Sequence, residues 1–175
     1  MNTPNKLTLL RVIMIPVFII FYLYEITPVS NIIALLVFVL AFFTDWLDGY
    51  LARKTNQVTN FGKIMDPLAD KVLVAAAMVC LNFSGIVSPW ITIAVLAREF
   101  AVSGIRIAAA AEGNVVAASI WGKAKTMWQF IAITITLIFM EKNLFVDICM
   151  WINLALTLIS GVDYIVKNKK YLSYK

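Results

Sequence analysis

Histidine is absent from the 175 residues. That excludes an imidazole base, a histidine-ligated haem and any histidine-containing triad. Acid–base or metal chemistry must then rest on carboxylates, lysine, tyrosine or hydroxyls. Cysteine is nearly absent too. Cys80 and Cys149 each sit in an apolar run without metal-ligand spacing, and read as small hydrophobic residues. Charge is scarce, at 14% of residues against about a quarter in a typical soluble domain. Period-2 alternation is missing as well, which argues against strands. What is present is apolar: 62% of the chain, with a mean hydropathy of +0.87. Lipid is the expected solvent for most of the surface, and helices then satisfy the backbone internally.

The expected fold is an all-α integral membrane domain over residues 1–175 with six transmembrane helices, the length suiting spans of roughly 20 residues. The spans run from Leu7 to Tyr24, Asn31 to Arg53, Lys63 to Phe83, Pro89 to Ala111, Ser119 to Met140 and Leu144 to Val166. Thr27-Pro28, Ser84-Gly85, Ser88-Pro89 and Glu112-Gly113-Asn114 punctuate them. Residues 2–10 are more polar and read as a short interfacial helix leading into the first span. A cleaved leader is not expected. The first apolar run lacks a small-x-small site and continues into the interfacial aromatics Tyr22-Leu23-Tyr24.

Orientation follows from the cations. With both termini cytoplasmic, Lys6, Arg11, Arg53, Lys54, Lys63, Lys123, Lys125, Lys167, Lys169, Lys170 and Lys175 gather inside, and Lys142 falls outside. The net charge of +5 reads as attraction to anionic membrane lipids, with no nucleic acid as partner.

Acids concentrate in one place. Asp45 and Asp48 lie near the cytoplasmic end of the second span, and Asp66 and Asp70 near the start of the third. Spacings of three and four put each pair on one helix face, and a short loop makes the two helices antiparallel neighbours. Four such carboxylates repel one another and are costly to bury alone. Convergence on divalent cations solves that problem, and hard oxygen donors select Mg²⁺ or Mn²⁺. Gly49, Ala52 and Gly62 leave room for a bulky phosphate-bearing ligand, and the Arg53 guanidinium can hold a phosphate. Read structurally, the glycines pack helices and Arg53 anchors the span.

The run Asp45-Trp-Leu-Asp48-Gly49-Tyr-Leu-Ala52-Arg53, then Gly62, Asp66 and Asp70, resembles the signature of the CDP-alcohol phosphotransferase family at all eight defined positions. The resemblance implies that family's six-helix fold and a site with two divalent cations, Mg²⁺ or Mn²⁺, held by Asp45, Asp48 and Asp66. Asp70 is then the general base and touches a metal, with Asp66 also in the catalytic set. Gly49, Ala52, Arg53 and Gly62 would frame the cytidine and pyrophosphate of the CDP-linked lipid. Phosphoryl transfer suits such a site, because it needs positioning and charge neutralisation more than covalent chemistry by the protein.

The acceptor half is basic. Arg98 and Arg106 lie on the fourth span, and Lys123 and Lys125 open the fifth on nearly opposite faces. All four are candidates for an acceptor phosphate, although Arg98, followed by Glu99, also fits a buried ion pair. Asn5-Lys-Leu-Thr8-Leu-Leu-Arg11 with Pro16, Ala97-Arg98-Glu99 and Gly122-Lys123-Ala-Lys125-Thr126 resemble one branch of the family. That branch transfers the phosphatidyl group of CDP-diacylglycerol to sn-glycerol 3-phosphate, giving phosphatidylglycerophosphate and CMP in phospholipid biosynthesis. It implies Asn5 and Thr8 as further donor-lipid contacts, and a multi-pass enzyme of the bacterial cytoplasmic membrane with its site facing the cytoplasm. Rival readings are a relative that accepts phosphatidylglycerol or inositol phosphate, a cation-coupled transporter, or a non-catalytic membrane subunit. Against the transporter, the acids sit at one end of the spans and no inverted repeat is visible. Slim residues on the third and fourth spans (Ala75, Ala76, Ala77; Ala101, Ser103, Gly104) and the family resemblance lead to the expectation of a homodimer.

Overall fold

A computed structural model describes the backbone of residues 3–24, 26–55, 60–114, 116, 117 and 119–169. Within these, the side chains of 3–7, 45–55 and 60–67 lie outside the described ones. Six helices form, with no strand among the described residues: α1 Thr3–Tyr24, α2 Ser30–Thr55, α3 Asn60–Phe83, α4 Pro89–Ala111, α5 Ile120–Phe139 and α6 Leu144–Lys167. The expected bounds agree to within a few residues. The largest departure is α1, which starts at Thr3, so the expected interfacial lead-in is its first turns. Pro4 lies in that first turn, where a missing N–H costs no helical bond.

The chain forms two compact units, Met1–Ile86 with Thr136–Met140, and Val87–Ile135 with Glu141–Lys175. In the first unit α1 packs on α2 and α3, and α2 also meets α3. Its α1 contributes Ile15, Phe18 and Tyr22 to the core, and α2 contributes Ala34, Phe38 and Ala41. The alanines let the two helices approach, and Phe18 fills the space beside Phe38 with ring centroids 6.0 Å apart. The α3–α4 turn needs a left-handed residue, supplied by Gly85 at φ +72°. Its amide bonds Asn82 O at 2.9 Å and that of Ile86 bonds Leu81 O at 3.1 Å, which closes the end of α3.

In the second unit α4 packs on α6. Pro89 opens α4 after Ser88, and Gly113 at φ +76° follows its end. Asn143 caps α6 by accepting the Val146 amide at 2.9 Å. Val102 and Ile105 of α4 form a small core with Tyr164 of α6, with Val116 packed against it.

The surface is the reverse of a soluble protein's. Phe83, Trp90, Ile107, Leu144 and Trp151 are exposed, whereas Arg11, Lys125, Gln129, Asn153 and Ser160 are buried. Among the described residues one helix, α6, is long and apolar enough to cross a membrane, with a mean hydropathy of 1.8; Thr8–Tyr24 and Ser30–Thr44 are shorter apolar stretches. Charge explains why α4 misses that measure, since Arg98, Glu99 and Arg106 interrupt its apolar run.

Candidate active site

The acidic residues lie on the helices the sequence assigns them. Asp45 and Asp48 fall on α2, and Asp66 and Asp70 on α3. The side chains of Asp45, Asp48 and Asp66 lie outside the described ones, as do those of Asn5, Gly49, Ala52, Arg53 and Gly62. Asp70 is described and half-buried. Among the described residues no metal-binding group of three or more acids or cysteines forms.

One turn before Asp45, α1 and α2 are joined at Ala41. Thr8 and Arg11, one turn apart on α1, are both buried. The Arg11 Nε donates to the Ala41 carbonyl at 3.3 Å, and Thr44 donates its hydroxyl to the same oxygen at 2.7 Å. Ala41 lies one turn before Asp45 on α2. The sequence marks Arg11 as one of many cytoplasmic charges and as the last residue of the Asn5–Arg11 run. Its full burial is a finding of the structure, and no local pattern announces it. A pocket lined by Ile26, Thr27, Pro28, Ser30 and Asn31 opens at the α1–α2 turn, the opposite end of α2 from the acids.

The basic candidates belong to the second unit, and the structure sorts them. Lys125 is buried and Lys123 exposed, as expected of residues about 200° apart around a helix. The carboxylate of Glu99 bridges two cations. Its Oε1 accepts from Arg98 Nη1 at 3.2 Å and from the Lys125 ammonium. Arg98 Nε donates to Ser160 Oγ at 3.2 Å, and Ser160 in turn donates to Thr157 O at 3.1 Å. Two glycines from different helices border the Arg98 side chain. A Cβ on Gly161 would stand 3.2 Å from its Cγ, and one on Gly122 would stand 3.5 Å from its Nη2. The ion pair expected at Arg98 and Glu99 is therefore present, partly rather than fully buried, with the buried Lys125 as a third member.

Arg106 is held differently. Its Nε donates to Tyr164 Oη at 3.3 Å, and its guanidinium carbon lies 5.7 Å from the centre of that ring. Among the described residues no carboxylate pairs with it, and the side chain is exposed. Its terminal nitrogens are thus open to an anion. Sequence reasoning missed Tyr164, Ser160, Gly122 and Gly161 as parts of this cluster. Their partners lie on other helices, at separations such as 58 and 62 residues.

Comparison with known proteins adds an independent line. The family model described as CDP-alcohol phosphatidyltransferase matches residues 1–159. A CDP-diacylglycerol–glycerol-3-phosphate 3-phosphatidyltransferase of Bacillus subtilis (strain 168) is 42% identical, over 95% of both chains. Proteins of the same name from Rickettsia bellii and Shigella flexneri are 40% and 39% identical, covering 97% and 98% of this chain and 97% and 93% of their own.

Proposed function

The chain belongs to the CDP-alcohol phosphatidyltransferase family, and from that premise we propose that it transfers the phosphatidyl group of CDP-diacylglycerol to sn-glycerol 3-phosphate, forming phosphatidylglycerophosphate and CMP. The observation that carries this choice is likeness over nearly the whole length to relatives named for that reaction, at 42% and 40% identity. The eight-position acidic signature supports the chemistry.

The roles are those the family resemblance implies, and residue chemistry is consistent with them. Asp45, Asp48, Asp66 and Asp70 are hard oxygen donors at helical spacing on the neighbouring helices α2 and α3, a donor set that fits two Mg²⁺ or Mn²⁺ ions. When bound, such ions neutralise the pyrophosphate and stabilise the departing CMP. Asp70 accepts the proton of the acceptor hydroxyl as its oxygen forms a bond to the lipid-bearing phosphorus. The bond from that phosphorus to the CMP oxygen breaks, and the electron pair leaves with CMP. Asn5, Thr8 and Arg53 hold the donor, and Gly49, Ala52 and Gly62 leave space for it. Of the four acceptor candidates Arg106 ranks first, because its terminal nitrogens face no described carboxylate whereas Arg98 and Lys125 already share Glu99. Lys123, exposed on nearly the opposite face of α5 from Lys125, is a secondary contact.

The setting is a bacterial cytoplasmic membrane, which six spans cross as one domain with both termini and the site at the cytoplasmic face. Exposed apolar side chains on all six helices and the distribution of Lys and Arg support that topology. Exposed Ala97, Ala101 and Gly104, on one face of α4, suit a close contact in a homodimer.

One assay tests the reading. Purified enzyme in detergent, given CDP-diacylglycerol and labelled acceptors, is stripped with EDTA and then supplied with Mg²⁺ or Mn²⁺. Label from glycerol 3-phosphate is expected in lipid, abolished by EDTA and restored by either ion. Label from phosphatidylglycerol appearing in cardiolipin, or label from inositol phosphate entering lipid, with none from glycerol 3-phosphate, would overturn the acceptor. Full activity in EDTA would overturn the metal assignment.

A further inference from the structure

Helix α6 carries Thr157, Ser160, Gly161 and Tyr164 at i, i+3, i+4 and i+7, so they share one face, and all four are buried. The residues beside them, Leu158, Ile159, Val162, Ile165 and Val166, are exposed and apolar. A buried hydroxyl on an apolar helix is costly unless it meets a polar partner. Two of the three hydroxyls on this face meet the same kind of atom. Ser160 Oγ accepts from Arg98 Nε at 3.2 Å, and Tyr164 Oη accepts from Arg106 Nε at 3.3 Å. One turn of α6 thus holds the inner nitrogen of both arginines of α4.

That choice of nitrogen has a chemical consequence. A guanidinium offers five N–H bonds in a rigid fork, and its two terminal nitrogens match two oxygens of a phosphate. Anchoring Nε fixes the rotation of the head and leaves the terminal edge for a ligand. For Arg106 that edge meets no carboxylate among the described residues. The anchor itself is firm, because Tyr164 is packed with Val102, Ile105 and Val116 and its ring also lies against the guanidinium. At Arg98 the same helix supplies room as well as a bond, since Gly161 places no side chain where the Arg98 stem runs.

We propose that α6 is the positioning element of the acceptor half: Tyr164 orients Arg106 to receive a phosphomonoester dianion, and Ser160 fixes Arg98 beside it in its pair with Glu99. This rests on the acceptor reading given above. Neither residue touches substrate in this account. Each acts through its arginine and is a positioning residue.

The test separates KM for glycerol 3-phosphate from kcat and from KM for CDP-diacylglycerol in the purified, metal-supplied enzyme. Tyr164→Phe keeps the ring and its packing but loses the hydroxyl. It is expected to raise the glycerol 3-phosphate KM about 3- to 10-fold, the scale of one net hydrogen bond acting through Arg106, while KM for CDP-diacylglycerol holds. Ser160→Ala is expected to do the same more weakly, and Ser160→Thr to return the value towards that of the parent. In an Arg106→Gln background Tyr164→Phe should add nothing further, since its effect passes through that side chain. An unchanged KM in Tyr164→Phe, together with a raised KM in Arg106→Gln, would overturn the positioning role and leave the acceptor reading standing. Unchanged KM in both Arg106→Gln and Arg98→Gln would remove the acceptor reading and this inference with it. A Tyr164→Phe effect that persists in full beside Arg106→Gln would mark Tyr164 as structural only.

Discussion

Glu99 holds two of the second unit's cations. It accepts from Arg98 and from Lys125, and Lys125 is only 1% exposed. Without the carboxylate, two cations remain close together in a largely apolar setting. Removing one partner of a buried ion pair typically costs about 3–5 kcal/mol. Glu99 keeps 17% of its surface, which places the expected loss for Glu99→Gln below that range, at about 2–3 kcal/mol. A fall of several degrees in the thermal midpoint of the detergent-solubilised enzyme checks this. Pairing Glu99→Gln with Lys125→Met should recover part of the loss, because the second change removes the stranded charge. Equal midpoints for Glu99→Gln and the parent would show that the carboxylate holds nothing. Glu99 was half legible from sequence: its adjacency to Arg98 suggests a pair, but Lys125 is 26 residues away and nothing local points to it. The acidic signature shows the opposite case, all eight positions falling within Asp45–Asp70 at helical spacings that can be read directly.

At the scale of an element, α6 shows how composition can be read correctly and function missed. Its extent and apolar character follow from the sequence, Leu144 to Val166 being expected and Leu144–Lys167 found. Its inner face does not, because a Ser or Tyr in an apolar run is equally at home as a packing residue or as an anchor near the interface. Only the position of α4 beside it separates the working hydroxyls from the idle one. Thr157 Oγ1 is buried and makes no hydrogen bond among the described residues, in contrast to Ser160 and Tyr164. A buried hydroxyl without a partner contributes nothing that a methyl group of the same shape would lack. Thr157→Val is therefore expected to leave the thermal midpoint unchanged or slightly raised, within about 0.5 kcal/mol of the parent, with KM for glycerol 3-phosphate unaltered. A large loss in that variant would mean that Thr157 meets a polar group in the membrane-embedded enzyme. Arg11 on α1 teaches the same lesson from the other unit. Its charge suggests a cytoplasmic anchor, yet it is fully buried with Nε on a backbone carbonyl of α2.

For the molecule as a whole, the proposed orientation rests on where cations are tolerated. Each positive charge moved to the outer side is opposed by the retention of Lys and Arg in the cytoplasm, and the first and last helices carry most of the bias. The segment after α6 alone holds Asn168 and then Lys169, Lys170 and Lys175, whereas the α5–α6 turn sets its single Lys142 beside Glu141. With six crossings the two segments lie on opposite sides, although they flank the same helix. Cys80 and Cys149, the chain's two cysteines, are both buried, so the parent gives a low background to a thiol reagent. Lys142 and Lys169 are exposed, so a cysteine introduced at either is reachable from its own side. In intact cells a membrane-impermeant maleimide is expected to label Lys142→Cys and to spare Lys169→Cys, which should react only after permeabilisation. Labelling of both from outside would place α6 on the surface rather than across the membrane. The reverse pattern would invert the topology and set the acidic ends of α2 and α3 on the outer face, against the proposed cytoplasmic site.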